Sequence, residues 1–486
     1  MTKSASDLSD DEIRQHLVRL VGRDKVCSDV DHLRAASVDR FKKYMAVNGI
    51  FEGPLPAAIV SVTSAQEVAK VLAFANENLI NVVPRTGGTA TEGGLETVVE
   101  GTIVLDGSRM DKILRVDTIN MMATTQCGVV LETLENAVRA AGLTTGHSPQ
   151  SRPLAQMGGL VATRSTGQLS TLFGGIEDMV VGLEAVFPDG TACRVKNVPR
   201  RAAGPDIRHI VVGNEGALCF ITEVTVKLYR YMPENTVYRG FLVGDMRTGI
   251  SVIREVVTGG FRPAVCRLYS EEDAHQHWPE EHHGKCVLVF VCEGPAPIAA
   301  ATATEIDRVV AGHDLDEVLG EALLRDWLAN LNWGTDKILA EQQWMLKEHN
   351  LGYTTEISAN WSDICDIYEA VMHRIRSDCP VAGDLTMLGA HSSHSYQTGT
   401  NLYFVYDYNV NCEPGEEITK YHIPLNAIIV EEALRHGGSM VHHHGIGKYR
   451  TDWTEEEHGS GYYMLRKLKD AFDPKGIMNK GTIFKA

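Results

Sequence analysis

Ten cysteines are scattered through the 486 residues, and no two of them form a C-x-x-C pair. This excludes a paired zinc ligand motif and a disulfide framework; Cys127, Cys219 and Cys286 lie in apolar stretches that suit reduced, buried thiols. Long hydrophobic runs are missing too. The run CVLVFVC, Cys286 to Cys292, suits a buried strand and falls far short of the ~20 residues a bilayer-spanning helix needs. The opening MTKSASDLSDDEI has no apolar core before a small-residue cleavage site, so a cytoplasmic location is expected. Basic charge is scarce: 46 Lys and Arg stand against 63 Asp and Glu, a net charge of −17, with no Lys/Arg block. A phosphate backbone would be repelled, which disfavours nucleic acid as a partner. Neither G-x-G-x-x-G nor G-K-[ST] occurs, and this disfavours nicotinamide and ATP sites of the common kinds.

What remains is an ordinary globular composition, 44% hydrophobic and 22% charged, without repeats, low complexity or a long linker. Ser9-Asp10-Asp11-Glu12 reads as a capping box that opens a helix running to Gly22. Beyond Pro54 and Pro56, AAIVSV reads as a strand, and Ser64-Ala65-Gln66-Glu67 as a second capping box before EVAKVLAFANEN. NVVPR closes a β-α-β unit, TIVLDG and MMATTQCGVV add strands, and LETLENAVRAAG is a helix stopped by Gly142. Pro188-Asp189-Gly190 marks a hairpin, and the resulting α+β domain ends near Tyr229.

Two stretches carry chemistry. In PRTGGTATEGG, Gly87 and Gly88 allow successive backbone N–H groups to face one point, an anion nest that would suit a pyrophosphate. An ordinary loop is the more frequent origin of such a turn. In GGSMVHHHGIGKYR, three imidazoles stand side by side. Neighbouring residues point apart on a strand or helix, so at most two of the three can share one metal.

The order of Pro84–Ala90, Gln150–Gln156, MGGLVATRSTG, IEDMVVGLEAVFPDG and GPDIRHIVVGNEGALCFITEVTVKL resembles the FAD-binding domain of vanillyl-alcohol-oxidase-type flavoproteins, from about Ala57 to Tyr229. The resemblance implies an α+β fold, with a two-subdomain FAD-binding domain of the VAO/PCMH type and an antiparallel-sheet substrate (cap) domain with flanking helices. It implies a helical arm over 1–50, an FAD domain over 51–230, a substrate domain over 231–440 and a segment over 441–486 that returns to the FAD domain. The cofactor contacts it implies are Pro84, Arg85, Thr86, Gly87, Gly88, Thr89 and Ala90, then Gln150, Ser151, Arg152, Pro153, Leu154, Ala155 and Gln156. Gly158, Gly159, Thr163, Arg164, Ser165 and Thr166 follow, and Glu215, Gly216, Ala217, Leu218, Cys219, Phe220 and Ile221 complete the set.

The C-terminal half resembles the alkylglycerone-phosphate-synthase branch of that superfamily, an ether-lipid flavoenzyme with bacterial relatives. The resemblance places a histidine motif on His442, His443 and His444, a catalytic tyrosine on Tyr403 and functional arginines on Arg267 and, replaced by lysine, Lys347. Lysine offers a point charge where arginine offers a planar fork, and the change tilts the expectation away from the ether-lipid precursor. The similar FAD-linked 2-hydroxyacid dehydrogenases carry an H-x-G-D-G-N-x-H zinc motif. Tyr396 and Tyr403 stand at its histidines and His443 replaces the glutamate, while His391 and His394 form a pair without carboxylate company. No metal is therefore expected.

A flavin dehydrogenase must remove a substrate proton near flavin N5. Tyr403 and His444 are expected to exchange it, the phenolate being stabilised by neighbouring imidazoles and cations. The implied function is an FAD-dependent oxidoreductase acting on a small hydroxy acid or polyol. The alternatives are a redox-neutral transferase that uses a flavin adduct, and an idle flavin scaffold, which intact Tyr403 and the histidines argue against. The partners this allows are a small-molecule substrate, an electron acceptor such as an electron-transfer flavoprotein or a quinone, and a second copy in a homodimer.

Overall fold

The computed structural model describes residues 5–313, 315 and 319–485. Ser9 caps the helix Asp10–Val21 through a reciprocal box with Glu12, which buries Ile13, Leu17 and Val21. The second box closes one way only. Ser64 accepts the Glu67 N–H, but the Glu67 carboxylate turns to the Thr63 N–H and the Lys25 ammonium.

The first sheet has the order β1-β2-β4-β3, built from β1 (Val26–Cys27), β2 (Ala58–Ser61), β3 (Val82–Arg85) and β4 (Ile103–Asp106). Its strands β2, β4 and β3 are parallel, and the helix Ala65–Glu77 packs Val68, Val71 and Leu72 into their core. An antiparallel sheet follows, with the order β5-β6-β10-β8-β9. It comprises β5 (Ile113–Asp117), β6 (Met122–Gln126), β8 (Val180–Val186), β9 (Ala192–Val195) and β10 (Phe220–Lys227). The β8–β9 hairpin falls where Pro188-Asp189-Gly190 placed it. A short ribbon joins β7 (Leu143–Thr144) to β11 (Tyr229–Arg230).

The third large sheet is antiparallel throughout, in the order β12-β14-β13-β16-β17-β15. Its strands are β12 (Val237–Val243), β13 (Val265–Tyr269), β14 (Cys286–Cys292), β15 (Asn350–Asn360), β16 (Leu385–Ser392) and β17 (Gly399–Asn409). Successive strand residues face opposite sides. On β17, Leu402, Phe404, Tyr406 and Tyr408 enter the core shared with helices Met246–Thr258 and Ile364–Asp378, while Tyr403, Val405 and Asp407 line a cavity on the other face. The chain's last segment returns to the first sheet: Val82 donates to the Ile477 carbonyl, and the Asn479 N–H donates back to Val82. Among the described residues no helix is long and apolar enough to cross a membrane.

Candidate functional site

One cavity of about 590 Å³ is walled on one side by the two N-terminal sheets and their loops, and on the other by the six-stranded sheet. On the first side run Pro84, Arg85, Thr86, Gly87, Gly88, Thr89 and Ala90, with Gln150, Ser151, Leu154, Gln156, Gly158, Gly159, Thr163, Ser165 and Thr166. Glu215, Gly216, Cys219, Phe220 and Ile221 continue this wall. Six of the expected cofactor contacts do not line it. Arg152 pairs with Glu132 and Arg164 with Glu177. Ala155 and Leu218 are packed in the core of the second sheet, and Ala217 in a cluster under the C-terminal segment; Pro153 is simply absent from the lining.

The wall is shaped for close approach by a ligand. A Cβ on Gly87 would stand 2.8 Å from the Leu154 carbonyl and 2.9 Å from the Gln156 nitrogen. Gly88 sits at φ +67°, a conformation that L side chains rarely adopt. The buried Gln156 Oε1 has no protein partner. A bare-backbone cradle with hydroxyls at Thr86, Ser151, Thr163, Ser165 and Thr166 fits an anionic, flat, polar group such as FAD.

The opposite wall is built by strand register. Glu356 on β15 pairs with Tyr403 on β17, which pairs with His391 on β16, which in turn pairs with Tyr269 on β13. Two residues from Tyr269, on the same face, is Arg267. Its Nη1 donates to Gln168 Oε1, Nη2 lies 2.9 Å from His391 Nε2, and Nε has no partner. His391 Nδ1 is 2.6 Å from Asp273 Oδ2. The imidazole thus accepts from Arg267 and donates to Asp273. Burial, with Arg267 close by, brings His391 down to about 4, so it is neutral at physiological pH.

Buried Glu356 explains the consecutive histidines. Its carboxylate accepts the backbone N–H of His442 at 2.5 Å, of His443 at 3.4 Å and of His444 at 2.6 Å. Burial raises its pKa, but Arg450, His444 and the His442 N–H outweigh burial and hold it below the usual carboxylate range. Arg450, fully buried, bridges Glu356 and Glu92. His444 Nδ1 faces Glu92 at 3.2 Å and Glu356 at 3.6 Å. Donation from Nδ1 leaves Nε2 as the acceptor, the basic end of the ring.

His443, His444, Tyr403 and Arg267 all line the cavity; His442 does not. Tyr403 and His444 meet as rings, edge to face at 5.3 Å between centroids, without a hydrogen bond between them. The Tyr403 hydroxyl accepts instead from Thr354 Oγ1 at 3.0 Å. Burial pushes the phenol up to about 12; Thr354 and Arg267 oppose this, while Glu356 and Glu92 add to it. The expected phenolate is therefore corrected. Two carboxylates near the ring disfavour a further negative charge, and Tyr403 stays a neutral donor.

Lys347 is a second correction. It lies on the helix Thr335–Glu348, 77% exposed, its ammonium 2.5 Å from Glu348. Ile338 on the same helix reaches the cavity, and nine residues on is about half a turn away round the helix. The nearby cations on the lining are Arg40 and Lys43, both paired with Glu341 at 2.6 Å. His394 is buried, with its ring 5.0 Å from that of His442 and 5.1 Å from that of His443.

A glycine-lined cradle on an α+β domain, facing an antiparallel sheet that presents tyrosine and histidine, defines a flavoprotein of the non-Rossmann type. The chain belongs to the FAD-linked oxidases: an FAD binding domain matches residues 56–196, and the C-terminal domain of FAD linked oxidases matches residues 232–483. It is 58% identical over 478 residues to the FAD-linked oxidoreductase YgcU of Escherichia coli K12, covering 98% of this chain and 99% of that one. It is 27% identical to alkyldihydroxyacetonephosphate synthase of Dictyostelium discoideum, over 87% of this chain and 72% of the relative. A solved alkyldihydroxyacetonephosphate synthase shares the fold, with TM-score 0.77 and 21% identity over 99% of this chain and 88% of that one. The protein is an FAD-dependent oxidoreductase.

Proposed function

We propose that the protein dehydrogenates a small hydroxy acid or polyol-like molecule, with residues 51–230 holding the cofactor and 231–440 the substrate. The carrying observation is the polarity of the cavity's sheet side. Beyond Tyr403 it presents Thr354, Asp407, Gln276, Asp273 and His277. A long alkyl chain laid there would face hydrogen-bonding groups with which it cannot pair. Hydroxyl and carboxylate groups would find partners instead.

Bound FAD supplies the two-electron acceptor. Arg267, with its free Nε and with His391 and Asp273 behind it, holds a substrate carboxylate or hydroxyl. Tyr403 donates a hydrogen bond to the reacting oxygen, and His444 Nε2 takes the hydroxyl proton while Glu92 steadies the imidazolium from Nδ1. Glu356 fixes the backbone that carries the base.

The test is anaerobic mixing of the yellow holoprotein with 2-hydroxy acids, sugar acids, polyols and an acyl-glycerone phosphate while flavin absorbance is followed. Bleaching by a hydroxy acid or polyol is the expected result. An ether product from acyl-glycerone phosphate and a long-chain alcohol, with no hydroxy acid or polyol bleaching the flavin, would establish the transferase reading in its place.

A further inference from the structure

Beside the proton-handling pair, a second cluster is left without a role. One ring nitrogen from each of His394, His442 and His443 lies within 4.8 Å of the other two. Two of these rings are held from behind: His394 Nδ1 is 2.6 Å from Ser170 Oγ, and His442 Nε2 is 2.6 Å from the Tyr396 hydroxyl. That leaves His394 Nε2 and His442 Nδ1 facing the cluster, where His442 Nδ1 meets His443 Nδ1 at 2.8 Å. An outer nitrogen anchored to a fixed partner is how proteins orient histidine ligands and set their tautomer. The backbone of His442 and His443 is pinned by Glu356.

We propose that His394, His442 and His443 form a three-imidazole site for a divalent transition metal, with an open coordination position toward the flavin cavity. The opening follows from the lining, which includes His394 and His443. Three nitrogens with no carboxylate select zinc, or cobalt, nickel or copper, against magnesium and calcium; three protein ligands plus an open position is the arrangement of catalytic zinc. Of the three zinc-ligand positions in the 2-hydroxyacid dehydrogenases this set shares only that of His443, a glutamate there; the other two are Tyr396 and Tyr403 here, and His394 and His442 are ligands of this chain alone, with Tyr396 acting from behind His442. A substrate oxygen would complete the coordination, with the metal as Lewis acid.

The full-length holoprotein, treated with chelator and dialysed, is titrated with Zn(II) and with Co(II) by calorimetry and visible absorption. One ion per chain is expected, with Co(II) giving the intense visible bands of a four-coordinate nitrogen site. His394→Ala should abolish those bands while FAD stays bound. Ser170→Ala, which leaves all three ligands in place, should weaken affinity about 10-fold, and it decides the matter if His394→Ala does not fold. Sub-stoichiometric binding by the wild type, or stoichiometric binding that neither substitution changes, would overturn the site and leave a hydrogen-bonded chain of imidazoles.

Discussion

At the residue scale, two buried carboxylates position the groups that carry the chemistry, Glu356 by holding the histidine loop and Glu92 by facing the His444 ring. Tyr403 and the three histidines stand in recognisable stretches, yet the carboxylates that organise them are remote: Glu92 meets His444 across 352 positions, and Glu356 meets His442 across 86. Nothing local marks a lone glutamate as a loop anchor. Lys347 fails for the opposite reason, since its neighbours in sequence match the family while its angle on the helix turns it to solvent. Lys347→Ala should therefore leave flavin reduction and stability within the ~0.5 kcal/mol expected of a surface change. A loss of substrate affinity in steady-state kinetics would return it to the site.

At the element scale, two loops carry the account. The cradle Pro84–Ala90 was legible because glycine freedom is a local property. Gly88→Val would demand an unfavourable φ and push its side chain into Arg85, whose Nη2 already lies 2.8 Å from an added Cβ. Flavin occupancy, read from the ratio of visible to ultraviolet absorbance, should collapse in a protein that still folds; full occupancy would dissociate this loop from the cofactor. The histidine loop depends on one buried carboxylate. Glu356→Gln leaves Arg450 without half of its charge balance and offers one acceptor oxygen where two served three N–H groups. Breaking a buried pair from one side costs about 3–5 kcal/mol, and denaturant unfolding of the holoprotein should show a drop of that order. A variant as stable as the wild type would mean that the loop is held by other contacts.

At the scale of the whole molecule, strand alternation and the β-α-β unit were visible in the sequence, but the six-strand order was not. It joins β13 to β16 and β17 to β15, pairings set by core packing between distant segments. The C-terminal segment shows how closely the parts depend on one another. Ile477, Met478, Ile483 and Phe484 are buried, at about 1.5–3 kcal/mol each, a sum comparable with the 5–15 kcal/mol stability of a typical domain. Truncation after Lys475 should yield an aggregated or unfolded chain; a folded, yellow, active truncation would show the segment to be dispensable. The central claim is that the Tyr403 and His444 face of the cavity oxidises a small polar substrate. Its most direct test is single-turnover flavin reduction, with a bleaching substrate, in wild type, Tyr403→Phe, His444→Ala and the double variant, all FAD-loaded. The account predicts that each single change slows reduction by about 10²–10⁴-fold with little loss of binding, and that the double variant falls well short of the product of the two. Reduction at the wild-type rate in both single variants would contradict it.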